Sequence, residues 1–273
     1  MKSIRRSVIA GSWYPGDPAT LQADIAGYFR NVPERDIAGE IVGLIAPHAG
    51  YRYSGQVAAH AYNLIRQKTY EAVVLVGPSH RVAFRGVSIF RRGAYETPLG
   101  LVPVDEKLAG DLQSQSGVIV DYPAAHAQEH SLEIQLPFLQ VALGSFAFVP
   151  LVMGDQDAET CRSLAGAISR AAATRRILVV ASSDLSHFHA DREAKAIDGI
   201  ALQHLQNDDP SGLLESLAAG TTEACGGGPM AVAMLAAQHR GARNALLLKY
   251  ANSGDVTGDR KSVVGYAAAV YYR

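Results

Sequence analysis

The stretch Ile41-Val42-Gly43-Leu44-Ile45-Ala46-Pro47-His48 sets six small or branched apolar residues in a row, then stops them with a proline. A strand that is apolar at every position, instead of at alternate ones, is buried on both faces, as in a parallel sheet covered by helices. Runs of the same kind recur at 72–76, 146–152, 177–181, 246–250 and 263–270. Helical spacing of apolar residues fills the intervals at 55–67, 105–115, 131–143, 158–173, 192–206 and 229–240. Alternation of strand and helix predicts a single α/β domain over 1–273, with a mostly parallel central sheet flanked by helices on both faces. The last two runs are joined by a loop over 252–261 that leaves no room for a helix, so they are expected to pair antiparallel.

Composition supports this core and removes several functions. Hydrophobic residues are 48% and charged residues 19% of the chain, which suits a sheet with two covered faces and not a disordered chain. With 25 basic and 26 acidic residues the net charge is −1, so no basic field exists for a nucleic-acid backbone. No apolar run reaches the roughly 20 residues of a membrane span, and the basic start Met1-Lys2-Ser3-Ile4-Arg5-Arg6 lacks the apolar stretch of a signal peptide. The two cysteines, Cys161 and Cys225, form no CxxC pair, and a reducing, cytoplasmic setting is expected. The chain has no GxGxxG after a strand, no GxxxxGK[ST] and no GxSxG, so neither a nucleotide cofactor nor a nucleophile-elbow hydrolase is implied.

Three of the strands finish alike: Leu44-Ile45-Ala46-Pro47-His48, Leu75-Val76-Gly77-Pro78-Ser79-His80, and Val180-Ala181-Ser182-Ser183-Asp184-Leu185-Ser186-His187. Each delivers a histidine just past the carboxyl end, the edge of an open α/β sheet where ligands bind. Taken singly, any of these is more often a hydrogen-bonded loop residue, but three in equivalent places make a constellation. Imidazole is the commonest ligand for transition metals, and His48 and His80, from neighbouring strands, are expected to meet one ion. The third ligand is expected from Cys225, in a glycine-rich turn that opens the helix at Pro229, where free N–H groups favour a thiolate. Asp184 and His187, three residues apart, are expected to pair as a carboxylate orienting an acid/base histidine. Cys161 falls at helical spacing with Leu164, Ala165 and Ile168 and is assigned to the core. His189 rivals His187, and His126 is undecided. Glu129 and His130, at the start of a helical pattern, and the aromatic residues Trp13, Tyr51 and Tyr53 are candidates for lining the crevice.

These motifs resemble the Memo family (mediator of ErbB2-driven cell motility; bacterial and archaeal members are called AmmeMemoRadiSam system protein B). The resemblance runs from Ala10-Gly11-Ser12-Trp13-Tyr14 through Ala46-Pro47-His48-Ala49-Gly50-Tyr51, Gly77-Pro78-Ser79-His80, Glu129-His130-Ser131 and Ser182-Ser183-Asp184-Leu185-Ser186-His187 to Cys225-Gly226, nearly the whole chain. That family is similar in fold to the class III extradiol ring-cleaving dioxygenases, which hold non-haem iron with two histidines and a carboxylate. The resemblance implies His48, His80 and Cys225 as metal ligands, with His187 at the acid/base position and Asp184 beside it. A thiolate in place of the carboxylate lets copper or zinc compete with iron (Fe2+) and exposes a sulfur to oxidation.

The leading expectation is a dioxygenase-like, metal-dependent oxidoreductase acting on a small molecule or peptide in the crevice. Two others stand beside it: a protein- or peptide-binding module with a vestigial metal site, and a zinc hydrolase with His187 as base. The bacterial family name points to a radical-SAM protein as partner.

Overall fold

The computed structural model describes residues 3–273. Its strands are β1 (Ile4–Arg5), β2 (Ile41–Ala46), β3 (Ala72–Pro78), β4 (Val87–Ile89), β5 (Ala94–Thr97), β6 (Gly100–Pro103), β7 (Ile119–Val120), β8 (Phe148–Met153), β9 (Ile177–Ser182), β10 (His187–His189), β11 (Asn244–Asn252) and β12 (Val263–Tyr272). Among the described residues the main sheet runs β10-β12-β2-β9-β3-β8-β4-β7, with β11 also paired to β12. A small sheet, β1-β5-β6, stands apart from it.

The centre is parallel: β2 pairs β9, β9 pairs β3 and β3 pairs β8. Every residue of these four strands is buried, and since side chains alternate between faces, both faces are covered. The helix Gly227–His239 lies against β2, β9 and β3, and the helix Tyr51–Asn63 packs on β12, β11 and β2. The expected antiparallel pair at the chain end forms between β11 and β12. The sheet is more mixed than the sequence suggests, because β12 pairs β2 antiparallel on one flank and β4 pairs β8 antiparallel on the other. The loop before β12 also holds one short helix, Gly254–Thr257, where none was expected. Four residues make a single turn, too short to leave a periodic signal.

Two predicted helices break for identifiable reasons. The pattern at 131–143 divides into a 3-10 turn, Glu133–Gln135, and the helix Leu136–Leu143, because Pro137 lacks the N–H that would continue one ladder into the next. The helix predicted over 55–67 runs instead over Tyr51–Asn63, and Gln67 takes φ 62°, a left-handed conformation that cannot extend it. No helix among the described residues is long and apolar enough to cross a membrane.

The amino-terminal arm reaches the site region through a buried ion pair. The Arg5 guanidinium contacts the Glu133 carboxylate, and its Nε donates to the His126 carbonyl at 3.0 Å. Glu133, wholly buried, also accepts from the Tyr14 hydroxyl at 2.7 Å and from the Val8 N–H at 3.0 Å. Burial opposes ionisation of Glu133, but Arg5 together with the Ser7 and Tyr14 hydroxyls outweighs it and holds the carboxyl below its usual range. A depressed carboxyl pKa contributes stability at neutral pH that is lost as pH falls through the folded value. Arg5→Ala leaves an uncompensated buried carboxylate and is expected to destabilise the fold by about 3–5 kcal/mol at neutral pH. Chemical denaturation will show that difference, and it will narrow as Glu133 becomes protonated in acid.

Candidate metal centre

Register brings the three histidine-bearing ends level. Ala46 of β2 stands opposite Ser182 of β9, and Val76 of β3 opposite Ala181. β2 and β3 are not neighbours, contrary to expectation: β9 lies between them, and His48 and His80 lean together over its end. Their ring centroids are 5.1 Å apart with planes at 90°. Ligand atoms from His48, His80 and Cys225 all lie within 4.8 Å of one another.

The hydrogen bonds of β9 fix the His48 ring. Ser182 Oγ donates its one proton to the Ser131 carbonyl at 2.5 Å and accepts from Gln135 Nε2 at 2.7 Å. At 3.1 Å from His48 Nδ1 it is therefore an acceptor, so Nδ1 carries the hydrogen and Nε2 presents a lone pair. That Nε2 is 3.0 Å from Cys225 Sγ. Burial, reinforced by the neighbouring His80, pushes the His48 pKa down to about 3, so the ring is neutral as a ligand must be.

Glu129 does the same for His80. Its Oε1 accepts from His80 Nδ1 at 2.9 Å and its Oε2 from the His80 N–H at 2.6 Å, leaving Nε2 free. A carboxylate behind a ligating histidine sets the ring's tautomer and raises its basicity. Glu129 itself is 1% exposed and lies behind His80, and with His80 and His130 it forms a second group whose ligand atoms lie within 4.8 Å of one another.

Cys225 is held by its flanks. Gln156 Nε2 donates to the Cys225 carbonyl at 2.9 Å, while its Oε1 accepts from the Gly228 N–H at 2.8 Å. Ser183 Oγ accepts from the Gly226 N–H at 2.9 Å. Burial with the Asp184 charge outweighs the Gly226 N–H, which still favours a thiolate, and pushes the thiol up to about 12. The sulfur is thus a thiol until an ion displaces its proton.

Asp184 accepts no hydrogen bond from His187 and acts on it only through electrostatics. Asp184 Oδ1 accepts from the His48 N–H at 2.7 Å and from the Ala49 N–H at 3.3 Å, so it shapes the loop that carries His48. Burial raises its pKa. His187 opens β10 and lines a cleft of about 710 Å³ together with His48, His80, His130, Trp13 and Tyr53. It also lines a second cleft of about 770 Å³, which Cys225 reaches from the other side. His189 lines neither cleft: its Nε2 bonds Glu223 at 3.0 Å. His126 is a core residue between Ser88 Oγ and the Tyr95 hydroxyl, and Cys161 is fully buried as expected. Tyr51 is buried too, its hydroxyl donating to the Ile134 carbonyl at 2.8 Å.

Phe188, between the two histidines of β10, has φ 66° and is 76% exposed. A bulky residue in that region costs about 1–3 kcal/mol, and the bulge between His187 and His189 imposes it. His130 contributes an imidazole stacked on His80 at 4.5 Å and packed beside Trp13 at 4.4 Å.

The family model described as Memo-like protein matches residues 5–270. The chain belongs to the Memo-like family. A MEMO1 family protein of Methanopyrus kandleri is 40% identical over 280 residues, covering 98% of this chain and 99% of that one. Another from Ignicoccus hospitalis is 40% identical with 98% of each chain covered. An uncharacterized protein of Escherichia coli K12 has a similar solved fold, with TM-score 0.50 and 15% identity over 84% of this chain and 99% of that one. For the Memo-like chain described here, the three donor residues sit where a single ion can reach all of them, and each imidazole is oriented by a buried partner. Glu129→Gln is expected to weaken zinc affinity by about 10–100-fold while leaving the fold intact, as read by competition with a chromophoric chelator.

Proposed function

We propose that the protein is a metal-binding oxidoreductase, holding one iron(II) ion at His48, His80 and Cys225 with a coordination position facing the 710 Å³ cleft. The observation that carries this reading is the locking of both rings from behind, by Ser182 and Glu129, so that their free nitrogens converge with the Cys225 sulfur. Two neutral imidazoles and one anionic donor leave room for a small molecule on the ion. An ion bound there supplies a Lewis-acidic, redox-capable position.

The chain supplies the rest. Asp184 fixes the backbone at His48, and His187, half-exposed at the cleft wall, exchanges protons with a ligand through its ring nitrogens. The likeness in fold that the Memo family's resemblance implies to class III extradiol dioxygenases is the ground for reading chemistry with dioxygen at this site. A cytoplasmic setting would keep Cys225 reduced and able to ligate. The same donors suit zinc, and a zinc-loaded protein would favour the hydrolytic reading with His187 as base.

Metal analysis of protein purified anaerobically without chelators tests the proposal. Iron near one ion per chain is expected, with loss in His48→Ala and in Cys225→Ser; near-zero metal in all three removes the reading. Because burial and the Asp184 charge keep Cys225 a thiol at neutral pH, binding expels a proton. Apparent affinity should therefore rise with pH, and Cys225→Ser should flatten that rise when chelator competition is repeated across the neutral range.

A further inference from the structure

Outside the candidate metal centre, three side chains at the junction of the helices Asp191–Gln206 and Pro210–Ala218 form a relay of hydrogen bonds. Asp209 Oδ2 lies 3.0 Å from His204 Nδ1, and His204 Nε2 lies 2.9 Å from Ser216 Oγ. A carboxylate only accepts, so the single hydrogen of the neutral ring sits on Nδ1 and Nε2 is left with a lone pair. The Ser216 hydroxyl is therefore the donor, aimed at a bare imidazole nitrogen.

Several features set this relay apart from an ordinary tie between helices. A serine within a helix commonly returns its proton to the carbonyl four residues back, as Ser169 does to Ala165 at 2.9 Å, whereas Ser216 gives it to His204. Asp209 divides its oxygens: Oδ1 caps the helix through the Gly212 N–H at 2.9 Å, and Oδ2 holds the ring. The ring lies hard against the helix that carries the serine, since a methyl group on Gly212 would stand 2.5 Å from His204 Cε1 and would also collide with Asp209. Glycine weakens a helix, and at this position its missing side chain is what admits the imidazole. His204 keeps 20% of its side chain open to solvent and Ser216 is half-buried, so the pair faces water and not the core.

We propose that Ser216, His204 and Asp209 form a second reactive site, in which Ser216 is the nucleophile toward activated acyl esters. Ser216 Oγ bonds to the acyl carbon while its proton passes to His204 Nε2, and Asp209 steadies the imidazolium that results. The bond from the acyl carbon to the leaving group breaks, and the leaving oxygen or sulfur takes the proton from Nε2. Water then gives a proton to Nε2 and bonds to the acyl carbon, and Ser216 departs with its proton restored. The sum is ester plus water giving acid plus alcohol or thiol.

The substrate class follows from the backbone around the serine. The N–H groups of Ala219, Gly220 and Thr221 are bonded to the carbonyls of Glu215, Leu217 and Ser216, and those of residues 216–218 belong to the helix ladder. This segment therefore leaves no backbone donor for an oxyanion, a loss of about 100–1000-fold in rate per donor. Amides and alkyl esters are out of reach on that account, whereas aryl esters and thioesters, whose leaving groups need little help, are not. Because the serine lies within a helix instead of at a strand-to-helix elbow, no GxSxG motif marks it in the sequence.

Protein stripped of metal by a chelator is treated with a fluorophosphonate and, separately, with p-nitrophenyl acetate, and peptide mass spectrometry locates the adduct. With the first reagent an Oγ–P bond replaces P–F, and the serine proton leaves with fluoride through His204. One adduct per chain is expected at Ser216 from each reagent, and none at that position in Ser216→Ala, whose far-UV circular dichroism should match the wild type. Asp209→Asn keeps an oxygen for the helix cap but offers His204 an N–H, which moves the ring's hydrogen to Nε2 and removes the acceptor. Adduct formation at Ser216 should then slow by about 100-fold or more. A role confined to capping predicts no adduct at Ser216 in any of these proteins. No adduct there with either reagent, equal rates in wild type and Asp209→Asn, or adducts only on lysine or cysteine side chains overturns the proposal.

Discussion

Ser182 has one hydroxyl proton and gives it to the Ser131 carbonyl. That single commitment makes the same oxygen an acceptor toward His48 Nδ1 and Gln135 Nε2, and it turns the bare nitrogen of His48 toward Cys225. Ser182 occupies the last rung of β9, opposite Ala46, so the central strand both spaces His48 and His80 and sets the tautomer of His48. Without the intervening strand the rings would have to meet across one strand spacing of about 4.8 Å, and no side chain would fit between their backbones. The candidate metal site is in this sense an extension of the sheet's hydrogen-bond ladder beyond its carboxyl edge.

The same polar layer continues into the amino-terminal arm. Ser131 accepts from Ser182 at its carbonyl and gives its N–H to Glu129 at 2.9 Å, Glu129 holds His80, and two residues further along the chain Glu133 holds Arg5 and Tyr14. Segment 129–135 thus holds His80 directly, reaches His48 through Ser182, and holds the arm that carries Trp13. Buried carboxylates with this many donors are costly to leave half-satisfied, which makes the network cooperative: loss of one donor strands the others.

Much of this was legible in the chain, and what was not has definite causes. The buried strands announced themselves as unbroken apolar runs, and His48 and His80 stood just after them, so the edge followed from position, while Cys225 was found only through its glycine-rich helix start and the family resemblance. The helices Pro18–Arg30 and Pro210–Ala218 went unread although Asp17-Pro18 and Asp209-Pro210 mark their starts, each aspartate accepting an N–H of the first turn. The pairing of Asp184 with His187 was inferred from a three-residue spacing that presumes a tight turn or a helical first turn. Residues 183–186 form neither, and Asp184 bonds the N–H groups of His48 and Ala49 instead. Ser182, Gln135 and Gln156 gave no signal of their own, because a polar residue's partner across the sheet or in a distant loop is invisible until the topology is known.

The three glycines after Cys225 bear on how readily an ion is captured. A methyl group at Gly226 would lie 2.4 Å from the Ser182 carbonyl oxygen, one at Gly227 2.3 Å from Leu217, and one at Gly228 2.7 Å from Gln156. The turn is therefore pressed on three sides by rigid neighbours despite a composition that suggests looseness. Residues that would wander in solution are confined here by close contact, so the sulfur loses little freedom when it takes up a ligand role, and the entropic penalty of assembling the donor triangle is met when the chain folds.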